Sequence, residues 1–185
     1  MPHEIVKEAK SKMQKSVEAF QQELSGIRTG RAQAALLDVV DVEAYGTKMK
    51  INQLANVTVP DAHLIVIDPW DKSQMSVIQK AIMQSPLGLT PSDDGKVIRV
   101  PIPQLTEERR KELVKVANKH REEAKIALRN VRRHAMEEIK SGQKNGDIPE
   151  DDAHHLSEEV EKITHEFTDE IDAHFKEKED DIMEV

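Results

Sequence analysis

Arginine and lysine have the most informative spacing in this chain. Lys125, Arg129, Arg132 and Arg133 recur at helical intervals within little more than two turns. At about 100° per residue, Lys125 and Arg132 fall roughly 80–100° from the apolar stripe of that segment. Lys111 and Arg129 fall near ~140°, and Arg133, Lys115 and Lys140 near ~160–180°. Glu122 is the acidic exception on this flank. The opposite flank carries Glu112, Glu123 and Glu137, with Lys119 as its basic exception. One side of the helix is therefore a cationic ridge. Arginine's planar fork suits bidentate contact with phosphate and stacking on bases, which makes RNA, met through its backbone and shape, one candidate partner. The other candidate lies within the chain. Residues 106–146 carry 12 basic and seven acidic side chains, whereas residues 147–185 carry three basic and 16 acidic. The ridge can neutralise that acidic segment, although exposed pairs contribute only about 0–1 kcal/mol each. Charge pattern alone leaves both readings open.

Other chemistry is sparse. The chain has no cysteine, which removes disulfides, thiolate metal sites and thiol nucleophiles. It lacks a phosphate-binding glycine loop, a G-x-S-x-G elbow and an H-E-x-x-H pair. Gly26 and Gly30 form a G-x-x-x-G outside any apolar stretch, where that spacing carries no packing signal. The carboxylates fall on polar helix faces. His154 and His155, being adjacent, point about 100° apart on a helix and share a metal poorly. His165 and His174 lie more than two turns apart, and there is no Glu-x-x-His pair. His120 lies on an apolar stripe and reads as a core histidine. We assign no catalytic residue, no metal ligand and no cofactor, and expect a non-enzymatic binding protein.

Composition agrees with helices. Of 185 residues, 34% are charged and 37% hydrophobic, with only 3% aromatic, so the core is thin and aliphatic. The net charge of -8 averages over the asymmetry described above and says little about partners. Met1-Pro2-His3-Glu4 opens no apolar leader, and no apolar run approaches the roughly 18 residues of a membrane span. The expectation is a cytoplasmic protein without a membrane partner.

The elements that must position the ridge follow from periodicity. Ile5, Ala9, Met13, Val17, Phe20, Leu24 and Ile27 predict a helix over about 4–28, ending at Thr29-Gly30. Leu36–Ala44 alternates loosely, and Lys48–Ile51, Leu54–Val59, Leu64–Ile67 and Val97–Val100 read as strands, with a turn at Tyr45-Gly46-Thr47 and a short helix over Ser73–Ser85. Pro101-Ile102-Pro103 resists both helix and sheet interior. A second long helix starts after Thr106 as N-cap. Its stripe is Leu113, Ala117, His120, Ala124, Leu128, Val131, Ala135 and Ile139, and it stops before Gly142. Pro149 opens a third, with Leu156, Val160, Ile163, Phe167, Ile171, Phe175 and Ile182 interrupted by Lys178.

Three such stripes predict an α+β protein: an elongated three-helix bundle over 1–29 and 106–185, with a small unit inserted over 31–104. Two chain crossings, near 29–31 and 101–106, would form a hinge at Thr29, Gly30, Pro101, Pro103 and Leu105.

Several motifs resemble the bacterial ribosome recycling factor family. They are Ile27-Arg28-Thr29-Gly30-Arg31-Ala32, Tyr45-Gly46-Thr47, Ile98-Arg99-Val100-Pro101-Ile102-Pro103, Leu105-Thr106-Glu107-Glu108-Arg109-Arg110-Lys111, Arg129-Asn130-Val131-Arg132-Arg133 and Ile148-Pro149-Glu150-Asp151. The resemblance spans the whole chain. It implies an L-shaped, two-domain protein with an inserted β/α/β domain, monomeric and without a cofactor. It also implies binding to the large ribosomal subunit and its rRNA after termination. There, with elongation factor G and its GTP hydrolysis, the protein would split the subunits and release mRNA and tRNA. The RNA-contacting positions it implies are Arg28, Arg31, Arg110, Arg129, Arg132 and Arg133; the ridge adds Lys125. One departure is Gln33-Ala34-Ala35, where the family often has a proline. A helical-bundle adaptor or chaperone for a protein partner is the alternative, expected to show weak salt dependence. A carboxylate-based bundle enzyme, expected to hold metal, is a further rival. Neither explains the clustered arginines.

Overall fold

The computed structural model describes residues 2–184. The chain divides between Thr29 and Gly30 and again between Thr106 and Glu107, leaving residues 30–106 as a unit of their own.

The outer segments form three helices: α1 (Pro2–Ser25), α3 (Glu107–Asn145) and α4 (Glu150–Met183), with α2 inside the insert. Their stripes meet in one core. Met13, Val17 and Phe20 of α1 pack with Ala117, Leu128 and Ile139 of α3 and with Val160, Ile171 and Ile182 of α4. Three alanines of α3 (Ala117, Ala124, Ala135) and three aromatic rings (Phe20, Phe167, Phe175) are buried in the same core. α1 ends earlier than its stripe. Ile27 lies outside the helix, yet a tight turn from its N–H to the Leu24 carbonyl (3.0 Å) returns it to the core. Lys178, the break in the third stripe, is half-buried, and burial pushes its ammonium pKa down.

The second long helix runs past its expected stop. Gly142 is helical, and a Cβ there would sit 2.6 Å from Cδ1 and 2.8 Å from Cγ1 of buried Ile148. Its role is to admit Ile148 against the helix. The actual stop is Gly146 at φ 84°. Gly146 N–H bonds to the Gln143 carbonyl (3.1 Å) and Asp147 N–H to the Gly142 carbonyl (2.9 Å), the paired bonds of a Schellman ending.

The insert holds an antiparallel hairpin, β1 (Asp41–Ala44) with β2 (Thr47–Lys50), and a four-stranded antiparallel sheet. The sheet comprises β3 (Ala55–Asp61), β4 (Leu64–Pro69), β5 (Ser92–Asp93) and β6 (Ile98–Pro101), in the order β3-β4-β6-β5. Alternation puts Ile65 and Ile67 of β4 and Ile98 and Val100 of β6 on the buried face. They share a core with Val42 and Ala44 of β1 and with Ile78 and Ile82 of α2 (Met75–Gln84). Three local readings change. Residues 34–39 form a 3-10 helix that buries Leu37, so the loose alternation over Leu36–Ala44 becomes strand only at Asp41. β5 is too short to leave a period in the sequence. Pro101 pairs opposite Leu64, tolerated because it is the last residue of its strand.

The β5–β6 turn carries a pH response. Asp94 accepts the backbone N–H groups of Val97 (3.0 Å) and Lys96 (2.9 Å), and the Arg99 guanidinium (2.7 Å). These donors, the backbone ones foremost, hold its carboxyl well below the usual carboxylate range. A depressed folded-state pKa contributes stability above the unfolded value of about 4 and loses it as pH falls through the folded value. The stability gap between wild type and Asp94→Asn should be widest above about pH 4 and close below it. Urea melts across that range measure the gap; a constant gap would refute the assignment.

Candidate nucleic-acid interface

Helix α3 positions the ridge, and the neighbouring α4 divides it. Lys125 Nζ lies 2.7 Å from Asp172 Oδ1, and Arg132 Nη1 lies 3.4 Å from Glu161 Oε2. Both are half-buried, as expected for side chains roughly 80–100° from the stripe. Arg129 and Arg133, further round the helix, are exposed and make no ion pair among the described residues. They are i,i+4 neighbours, so their guanidinium groups project together. The flank thus divides into two rows: the inner one, Lys125 and Arg132, meets carboxylates of α4, and the outer one, Arg129 and Arg133, faces solvent.

Arg121 belongs to the inner row and escaped the sequence reading, although it stands four residues before Lys125. Its guanidinium lies 4.0 Å from the Phe175 ring centroid and 3.8 Å from Asp172 Oδ1, and Nη2 donates to Asn118 Oδ1 at 2.6 Å. The i,i+4 spacing was the available signal; only the packed ring across the groove reveals the role.

Arg110 is not gathered with this cluster. Arg110 lies in the first turns of α3, 19 residues before Arg129, which is about 28 Å along the helix. It is half-buried, and its Nη1 donates to the Met183 carbonyl (3.5 Å) near the end of α4. Arg28 follows α1 and Arg31 opens the insert, on opposite sides of the unit boundary.

His120 is at the edge of the core, 28% exposed, rather than within it. Its Nδ1 lies 2.9 Å from Glu23 Oε2 on α1 and 3.7 Å from Glu123 Oε2. This trio is the described set whose ligand atoms lie close enough to share a metal ion. Both carboxylates are exposed, and each lies within ion-pair distance of the imidazole. His154 and His155, expected to point apart, stand edge to face with ring centroids 6.3 Å apart, and their Nδ1 atoms lie 3.4 and 3.8 Å from the Glu158 carboxylate. Among the described residues no helix is long and apolar enough to cross a membrane.

The fold places the chain beside solved translation factors. A solution structure of the ribosome recycling factor matches with a TM-score of 0.76 at 43% identity, over 100% of this chain and 98% of that one. Another match is to models for the T. thermophilus ribosome recycling factor and the E. coli elongation factor G bound to the E. coli post-termination complex. Its TM-score is 0.64 at 42% identity, over 99% of both chains. The chain belongs to the ribosome recycling factor family, whose model matches residues 20–183. Ribosome-recycling factors of Bacillus subtilis (51% identical) and Geobacillus kaustophilus (52%) align over 100% of both chains.

Proposed function

We infer that this chain acts as its family does, binding the post-termination ribosome and, with elongation factor G, promoting subunit dissociation and release of mRNA and tRNA. Identity near 50% over the full length to ribosome-recycling factors carries the reading. The reading gives the chain a cytoplasmic, non-enzymatic role: GTP hydrolysis belongs to the partner, and the chain contributes binding and mechanical coupling. The outer arginines, Arg129 and Arg133, dock α3 on ribosomal RNA of the large subunit. Arg28, Arg31, Arg110, Lys125 and Arg132 extend or support that surface. The bundle and the insert act as separate domains, and the insert turns about residues 29–31 and 101–106. Support for rigid hinge ends comes from the insert itself. Ala32 N–H bonds to the Ala62 carbonyl (2.7 Å) and Ile102 N–H to the His63 carbonyl (2.8 Å), so both crossings are pinned to one β3–β4 turn.

The test is disassembly of post-termination ribosomes by elongation factor G and GTP, with and without this chain. The expected result is a large stimulation of subunit release; no stimulation overturns the reading.

A further inference from the structure

The chain has one tryptophan and one tyrosine, and both lie on the surface of the insert. Trp70 is 68% exposed and Tyr45 64%. In a chain this poor in aromatic residues, packing alone would place them inside.

Both are held in place. Tyr45 and Gly46 form the two-residue turn between β1 and β2, with φ of 52° and 76°. Such a turn needs positive φ at both positions, which Asn, Asp or Gly supplies with less strain than Tyr. Tyr45 is the described non-glycine residue in that region, so the hairpin carries an aromatic ring at a conformational cost. Its hydroxyl donates to Asp71 Oδ2 at 2.6 Å, beside Trp70 in the chain. Asp71 Oδ1 accepts Ser73 N–H (3.0 Å) and Oγ–H (2.7 Å). Trp70 N–H bonds to the Leu54 carbonyl at 3.2 Å. Rigid amphipathic aromatics around a fixed carboxylate match the anchors of protein interfaces, which lose little entropy on binding.

The position matters as much as the residues. Interior strand β4 starts beside His63, which pins a crossing, and ends at Pro69 next to Trp70. Six residues at about 3.3 Å put the aromatics roughly 20 Å from the crossings, where a push has a long lever arm.

The surrounding charge favours a protein over RNA. Lys72 is committed to Asp68 and to the Lys96 carbonyl, and Lys50 to Asp41. Lys48 stands opposite Glu43 in the hairpin ladder. A phosphate backbone needs uncommitted cations, as on α3; here Asp71 offers a negative anchor instead.

We propose that Tyr45, Trp70 and Asp71 form a docking hot spot for a protein partner that presents an apolar pocket rimmed by a basic side chain. The pocket takes the aromatic rings and the basic group meets Asp71. The proposal rests on the recycling reading, which supplies elongation factor G as the protein partner to be tested.

Full-length Tyr45→Asn and Trp70→Ala test it. Asn-Gly suits the turn, so Tyr45→Asn should be at least as stable as wild type in urea. Both variants should pellet with ribosomes as wild type does. Their disassembly rate at limiting elongation factor G should fall about tenfold, with partial recovery at high factor concentration. Wild-type rates in both variants overturn the docking site while leaving recycling intact. Loss of ribosome binding in the absence of elongation factor G also overturns it, assigning the rings to base stacking. A wild-type chain that fails to stimulate disassembly overturns the recycling reading, and the docking site with it.

Discussion

The double variant Arg129→Ala/Arg133→Ala is expected to bind ribosomes roughly 30- to 1000-fold more weakly than wild type, with its helix content unchanged. Each guanidinium–phosphate bond contributes about 1.5–3 kcal/mol, discounted here because both side chains are exposed, and 1.4 kcal/mol is tenfold. Neither arginine forms an ion pair among the described residues, so alanine breaks none, and alanine favours helix. The salt dependence should also become shallower, by roughly 0.7–0.9 in the log–log slope for each phosphate left without its arginine. Arg132→Ala is the informative comparison. Its guanidinium already faces Glu161, so it has less to give an external anion and should cost less affinity than Arg129→Ala. Sedimentation binding at two salt concentrations, with circular dichroism as the fold control, measures all three. Unchanged affinity in the double variant would remove RNA docking from the outer row.

Gly30→Val should be the most damaging single change at the crossings. Gly30 has φ 73°, where a β-branched side chain is strongly disfavoured. Its Cβ would lie 2.8 Å from Cγ and 3.1 Å from Cδ1 of Leu105. Strain and overpacking act in the same direction, for a combined loss of roughly 2–5 kcal/mol in the insert. That loss should speed hydrogen exchange of the Ile65 and Ile67 amides by at least about 30-fold, while the Val17 and Leu128 amides of the bundle stay protected. Leu105→Ala in the same background should restore part of the loss by removing the clash but not the strain. Unaltered exchange in Gly30→Val would mean that the crossing tolerates a side chain, against the observed packing.

The two variants probe features of different legibility. Gly30 could be picked out as a break because a helical stripe ended there. Its contact with Leu105, 75 residues later, could not. The same holds for glycine further on: Gly142 reads as a helix stop by type, yet it is the helical surface against which Ile148 packs. Residue type states what a position tolerates, and only its neighbours determine which tolerance is used.

The sequence by itself determined the three amphipathic helices, the strand-rich insert, the cationic flank of α3 and, through its arginine and hinge motifs, the family. These are local patterns, set by residues within a few turns of one another. Tertiary structure alone decided how the flank divides. Asp172 and Glu161 reach Lys125 and Arg132, and Phe175 lies under Arg121, because α4 crosses beside one edge of α3 and not the other. It also decided that Trp70 and Tyr45 face outward, since burial of a ring depends on what covers it and no periodicity in a turn records that. The arginines have a clear direction along their own helix; which of them remain available to a partner depends on the helix packed alongside.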